Sequence, residues 1–282
     1  MRDRTCLPIR RSPDDGFVTA DTVALNPPNG HGFSVNDGLK ILRPSLRVDL
    51  IVPARNEAAC LPALFAALVP VHRGGPRLRV ILADNGSTDG TARIAADHGA
   101  VVVHEPRRGY GAACLAALAW IRQGREPPEI VTFLDADLSD DPKELLTLIG
   151  CMEQRQADLV IGSRPRHAEP GALTLPQRFG NRLACTVIRG VTGVRFTDLG
   201  PMRAVRWSAL ESLDMSDTTW GWTLEMQFKA ALLGLCCEEI DVTYRHRHAG
   251  RSKISGSITG SIRAGTKILS TLGAIWWQWR RR

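Results

Sequence analysis

The chain has 282 residues, 44% apolar and 23% charged, enough for a sizeable core and too apolar for global disorder. Its net charge of +7 and pI ≈ 9.3 raise the question of nucleic acid, but nine of the 36 Lys and Arg follow Asp241, with no Asp or Glu among them. The body before that point is close to neutral and lacks a basic stripe interleaved with aromatics, so nucleic acid is excluded as an expected partner.

Seven cysteines (Cys6, Cys60, Cys114, Cys151, Cys185, Cys236 and Cys237) form no CxxC pair and no Cys/His cluster. They predict reduced structural thiols in a cytoplasmic protein. The opening MRDRTCLPIRRSPDDG has no signal-peptide core, and no apolar run approaches the roughly 18 residues of a membrane span.

Residues 1–45 mix Pro, Gly, Asp and Asn without periodicity and predict a flexible extension. From Arg47 onward short apolar runs alternate with helical patterns. VDLIVP, LRVILAD, VVVH, EIVTFLD and DLVIGS read as strands; EAACLPALFAAL, TDGTARIAADHG, GYGAACLAALAWI and PKELLTLIGCMEQ read as helices, the last with Pro in its first turn. Such alternation predicts an α/β domain over 46–245, a mostly parallel sheet flanked by helices on both faces. Its ligands are expected beyond the carboxyl ends of the strands, where PARNE, DNGSTDG, DADLSD and GSRPRH all fall.

FLDADLSDDP runs from an apolar strand straight into carboxylates. Asp135 and Asp137 are two apart, so their side chains leave on one side if the strand persists. A hard divalent cation held by one or two carboxylates and substrate phosphates fits that pair. Its bland counterpart is a solvated loop in which Ser139, Asp140 and Asp141 cap the next helix. DNGSTDG alone is an ordinary strand-to-helix loop. RRGYGAAC places Gly109 and Gly111 between strand and helix, but Cys114 stands where a dinucleotide fingerprint needs its third glycine, so NAD binding is discounted.

Taken in order, IVPARNE, ILADNGSTDGT, FLDADLSDDP, LVIGSR, TDLGPMR and RHAGRSK resemble the family 2 glycosyltransferases with the GT-A nucleotide-diphospho-sugar transferase fold, most of all the dolichol-phosphate mannose/glucose synthase-like branch. The resemblance spans roughly Asp49 to Lys253. It implies transfer of a sugar, with inversion, from a UDP- or GDP-linked hexose to an acceptor with the help of Mg²⁺ or Mn²⁺. By analogy Pro53, Arg55, Glu57, Asp84, Asp135 and Arg164 line the nucleotide pocket, and Asp135, Asp137 and Ser139 are the metal set. The chain departs from the pattern at Arg55, often Tyr; at Asn85, often Asp; and at Ser139, often Gln in the lipid-phosphate mannosyl enzymes.

A hydroxyl acceptor needs a general base, whereas an acceptor phosphate is already anionic and needs cations to hold it. Asp198 stands equally as candidate base and as buried turn residue. Arg164, Arg203, Arg247 and Lys253 are the candidate phosphate clamp, for the acceptor or the donor pyrophosphate. Glu225, in TWGWTLEMQFKAALLG, is a further candidate base, and Trp220 and Trp222 a candidate wall for a sugar or lipid.

The remaining 246–282 segment is basic. Ile258, Ile262, Gly265, Leu269, Leu272, Trp276 and Trp279 recur at intervals of four and three, with Arg263 and Lys267 off that line and WWQWRRR closing the chain. This predicts a basic amphipathic helix at an anionic membrane surface, or one packed on its own domain or a second subunit. The expected activity is transfer to a polyprenyl or dolichyl phosphate or another membrane-associated acceptor, by an enzyme peripheral on the inner membrane face. Its rivals are transfer to a soluble hydroxyl, a sugar nucleotidyltransferase and a non-catalytic nucleotide-sugar sensor. PARNEAAC is not the glycine-rich basic loop a nucleotidyltransferase requires, and the intact Asp135/Asp137 pair argues against a sensor. Oligomeric state is left open.

Overall fold

The computed structural model describes residues 42–248, together with 268, 270–277 and 279. Seven strands make one sheet: β1 (Arg47–Ala54), β2 (Arg77–Asp84), β3 (Val101–His104), β4 (Ile130–Phe133), β5 (Leu159–Ala168), β6 (Arg203–Arg206) and β7 (Cys237–Tyr244). Across the sheet they run β3-β2-β1-β4-β6-β5-β7. Parallel pairing joins β3 to β2, β2 to β1, β1 to β4 and β5 to β7, while β6 is antiparallel to both its neighbours. The mostly parallel sheet read from the sequence is therefore present.

Strands buried on both faces carry near-continuous apolar runs, and alternate residues serve opposite cores. Leu50, Val52, Leu82 and Val160 face one core, shared with α1 (Leu61–Gly74), α2 (Thr91–Asp97) and α4 (Glu144–Arg155). Ile51, Ile81, Phe133 and Ile161 face the other, shared with α3 (Tyr110–Gln123), α5 (Leu175–Thr192), α6 (Trp207–Leu213) and α7 (Trp222–Leu232). Ile268, Leu272 and Ile275 of a C-terminal helix are buried in this second core, Ile268 lying against Gly180 of α5.

Several sequence expectations shift. Helix α1 begins at Leu61, because the amides of Cys60 and Leu61 turn back onto the Glu57 carbonyl (2.9 and 3.2 Å) and Pro62 suits the first turn. Pro142 precedes α4 instead of opening it. Strand β4 ends at Phe133, so Asp135 and Asp137 lie beyond it and strand periodicity does not orient them; Leu138, at φ +61°, marks the turn that does. Strands β6 and β7 and helices α5 and α6 were not read at all. Among the described residues Cys60, Cys114, Cys151, Cys185 and Cys237 are free thiols. The C-terminal helix also turns a different face inward. Leu272 is shared with the predicted stripe, Trp276 and Trp277 are exposed, and Ile258, Ile262, Gly265 and Leu269 lie outside the described residues.

Candidate active site

Parallel register brings the carboxyl ends of β1, β2 and β4 together: Pro53 pairs with Ala83, Ala54 with Asp84, and Ile51 with Phe133. The loops that leave β1 and β2 then clasp each other. Asn56, held at φ +51°, donates its amide to Ser87 Oγ (2.9 Å) and accepts the Thr88 amide on Oδ1 (2.8 Å). Thr91 Oγ1 accepts the Glu57 amide at 2.9 Å, and Asp89 accepts that of Ala58 at 3.2 Å. Asp84 is buried, with Oδ1 accepting the Ser87 amide at 3.1 Å and Oδ2 3.2 Å from His104 Nδ1. The result is a rim that sets Pro53 and Asp84, at the ends of β1 and β2, beside Arg55 and Glu57 in the loop after β1.

Beside that rim lies a buried acidic cluster. Asp137 is 3% exposed; its Oδ1 accepts the Ser139 amide (2.9 Å) and its Oδ2 pairs with Arg247 Nη2 at 2.8 Å. Arg247 Nη1 lies 3.8 Å from Glu57 Oε1, so one guanidinium spans the rim and the cluster. Asp135 Oδ1, Ser139 Oγ and both Asp140 carboxylate oxygens are buried without a hydrogen-bond partner. Burial, reinforced by the Asp137 charge, pushes the Asp135 carboxyl up to about 7. Asp140 is likewise raised well above the carboxylate range, by burial first. Buried polar atoms are ordinarily bonded, so this concentration of unsatisfied oxygens fits a hard cation. Among the described residues no group of three or more His, Cys, Asp or Glu is arranged to hold a metal by itself.

The other expected residues are placed elsewhere. Asp198 is fully buried and takes a fork from Arg164, Nε to Oδ2 at 2.6 Å and Nη2 to Oδ1 at 3.0 Å, plus the Arg164 amide and the side-chain amide of Asn181. Although burial opposes its charge, Asp198 raises the Arg164 guanidinium above its ordinary range, and Arg164 stacks 4.9 Å over the Tyr244 ring. Arg203 is fully buried and donates to the carbonyls of Gly200 and Thr223 and to Gln227; burial lowers it to about 10. In this structure Asp198 and Arg203 are both enclosed by protein groups, which for Asp198 is the buried-turn alternative. Lys253 lies outside the described residues. Glu225 is also enclosed: it accepts from the Ser216 and Asp217 amides and pairs with Lys229 at 2.7 Å.

The glycines of RRGYG have a packing reason. At Gly109 (φ +148°) and Gly111 a Cβ would overlap the carbonyl oxygens of Thr218 and Asp217. That closeness lets Thr218 and Thr219 carbonyls accept the Ala112 and Gly111 amides at the start of α3, both at 2.9 Å. Sequence reasoning missed a cleft of about 440 Å³ beside α5, lined by Arg178, Asn181, Arg182, Arg189, Arg195 and Thr197 among others. Leu175 (81% exposed) and Phe179 (68%) stand on the same helix. From Pro170 to Thr197 the chain carries four arginines and no acid, the signal that would have revealed it.

A mostly parallel sheet with one antiparallel strand, and acids beyond its carboxyl edge, is the GT-A architecture. The fold comparison agrees: glucosyl-3-phosphoglycerate synthase from Mycobacterium tuberculosis, solved with Mn²⁺, UDP and glucosyl-3-phosphoglycerate, superposes with a TM-score of 0.63 at 20% identity, over 86% of this chain and 84% of that one. The family model described as Glycosyl transferase family 2 matches residues 49–212. An uncharacterized glycosyltransferase of Mycobacterium tuberculosis is 37% identical over 223 residues, 76% of this chain and 93% of that protein. Polyprenol monophosphomannose synthase of Mycolicibacterium smegmatis is 33% identical over 232 residues, 77% and 84% of the two chains. The chain belongs to glycosyltransferase family 2, on the dolichol-phosphate mannose synthase-like branch, and is an enzyme.

Proposed function

We propose that the protein transfers a hexose from a UDP- or GDP-sugar to a polyprenyl or dolichyl phosphate at the cytoplasmic face of a membrane. The observation that carries this reading is the juxtaposition of the two sites: an acidic cluster with unsatisfied buried oxygens at the sheet's carboxyl edge, and an acid-free arginine cleft reached through the Arg164–Asp198–Asn181 network. Pro53, Arg55, Glu57 and Asp84 receive the nucleoside, and Asp135, Asp137 and Ser139 hold Mg²⁺ or Mn²⁺ with the diphosphate. A cation bound there supplies Lewis-acid stabilisation of the charge that grows on the departing nucleoside diphosphate. Arg247 and Lys253 pair with phosphate oxygens.

An acceptor phosphate needs no deprotonation, which suits a site whose candidate base, Asp198, is already committed to Arg164. The arginines of the cleft then hold the acceptor phosphate, and Leu175 and Phe179 meet its prenyl chain. Those exposed apolar residues favour a lipid over a soluble phosphorylated acceptor, for which the arginines alone would suffice. No helix among the described residues is long and apolar enough to cross a membrane. Exposed Trp276 and Trp277 suit an encounter at the bilayer surface, to which the basic closing residues of the sequence add.

A donor panel of UDP- and GDP-sugars with Mn²⁺ or Mg²⁺, scored for nucleotide release, tests this. Release is expected to rise sharply with polyprenyl phosphate and for one donor. Equal stimulation by a soluble phosphate or an alcohol would overturn the lipid-phosphate assignment.

A further inference from the structure

We propose that Arg247 is a resident counter-ion that occupies the metal site until donor and cation arrive together, making their binding cooperative. The inference rests on the reading of Asp137 as metal ligand. Its guanidinium sits 2.8 Å from Asp137 Oδ2 and 3.8 Å from Glu57 Oε1, in the space between cluster and rim. The position is fixed by the backbone on both sides: the Arg245 amide donates to the Ser139 carbonyl (2.8 Å) and the His248 amide to that of Asp137 (3.1 Å). Arg245 Nη2 adds a 3.1 Å pair with Asp141. Residues 245–248 thus form a strap along the acidic turn, with Arg247 directed into it.

A carboxylate oxygen that ligates a small divalent cation at about 2.0–2.2 Å cannot keep a guanidinium at hydrogen-bond distance on the same lone pairs. With the cation on the Oδ2 lone pair that Arg247 now uses, metal binding displaces Arg247, and the metal alone offers the displaced cation nothing. A diphosphate does, because its oxygens accept a charge-assisted fork from the same guanidinium a short distance away. Binding of metal and nucleotide is then mutually favourable, by linkage through one side chain.

Mn²⁺ affinity read by EPR or calorimetry, with and without UDP, tests the idea on the whole chain. Arg247→Met is expected to bind Mn²⁺ alone about tenfold tighter than wild type, and to lose about tenfold of the UDP–Mn²⁺ cooperativity. Arg245→Met removes an equal charge without touching Asp137 and is expected to change Mn²⁺ affinity by less than about twofold, as a screened exposed charge does. Arg247→Lys, lacking the fork that spans Asp137 and Glu57, is expected to tighten Mn²⁺ binding partway and serves if the methionine variant fails to fold. No gain in Arg247→Met or Arg247→Lys, or an equal gain in Arg245→Met, overturns the proposal while leaving the metal site in place. Unchanged Mn²⁺ binding in Asp137→Asn would instead remove the metal reading itself.

Discussion

Replacing Asp135 by Asn is expected to stabilise the metal-free protein at alkaline pH and to leave it nearly unchanged at acid pH. Burial and the neighbouring Asp137 hold the Asp135 carboxyl at about 7 against an ordinary 3.8. A raised carboxyl keeps its proton in the folded state, so stability is fully present below the unfolded value and declines as pH climbs from about 4 through 7. Three pH units at about 1.4 kcal/mol each set an upper limit of about 4 kcal/mol. Relaxation and water at the cluster's mouth reduce this to about 2 kcal/mol, since buried sites respond with an effective dielectric well above that of dry protein. For a chain of this size that is about 4–8 °C in Tm. The assay is thermal unfolding of both proteins in EDTA at pH 4 and pH 8. A Tm gain of equal size at both pH values, or a loss at pH 8, would refute the account. Added Mn²⁺ should reverse the order at pH 8, because only the wild type regains a full set of ligands.

Asp198→Ala should lower stability by about 3–5 kcal/mol in denaturant unfolding, because it strands the buried Arg164 guanidinium; a loss under 1 kcal/mol would mean the pair is solvated. Gly111→Ala should cost about 2–3 kcal/mol, as the new methyl displaces the Asp217 carbonyl from the start of α3, whereas Gly190→Ala on α5, with open space around it, should be neutral or slightly stabilising. Leu175→Ser combined with Phe179→Ser should leave Tm within about 1 °C, both side chains being exposed, yet reduce co-sedimentation with anionic vesicles severalfold. Retained vesicle binding would place the membrane contact elsewhere.

The carboxyl-edge loops were legible in the sequence because strand, loop and helix there each leave a local mark. An apolar run ends at Asp84 or Phe133, turn formers follow, and a helical period resumes. The acidic cluster was found this way, although its geometry comes from a turn at Leu138 and not from the strand periodicity that pointed to it. The antiparallel β6 was not legible: four residues, RAVR, carry too little pattern, and two of their side chains are arginines that the fold happens to bury or half-bury. The enclosure of Arg203 and Asp198 was not legible, because nothing local says that Gly200, Thr223 and Arg164 will surround them.

What the sequence determined on its own was the alternation of strands and helices and the sheet edge at which chemistry gathers, since both rest on patterns along the chain; its ordered motifs carried the resemblance to the family. Tertiary structure alone decided which charges neutralise one another. Arg247 meets Asp137 across 110 positions, Arg164 meets Asp198 across 34, and α5 brings its arginines to a common cleft. The physical reason is that the fate of a charge depends on the partner that burial sets against it, and that partner is chosen by the path of the chain through space, not by its neighbours in sequence.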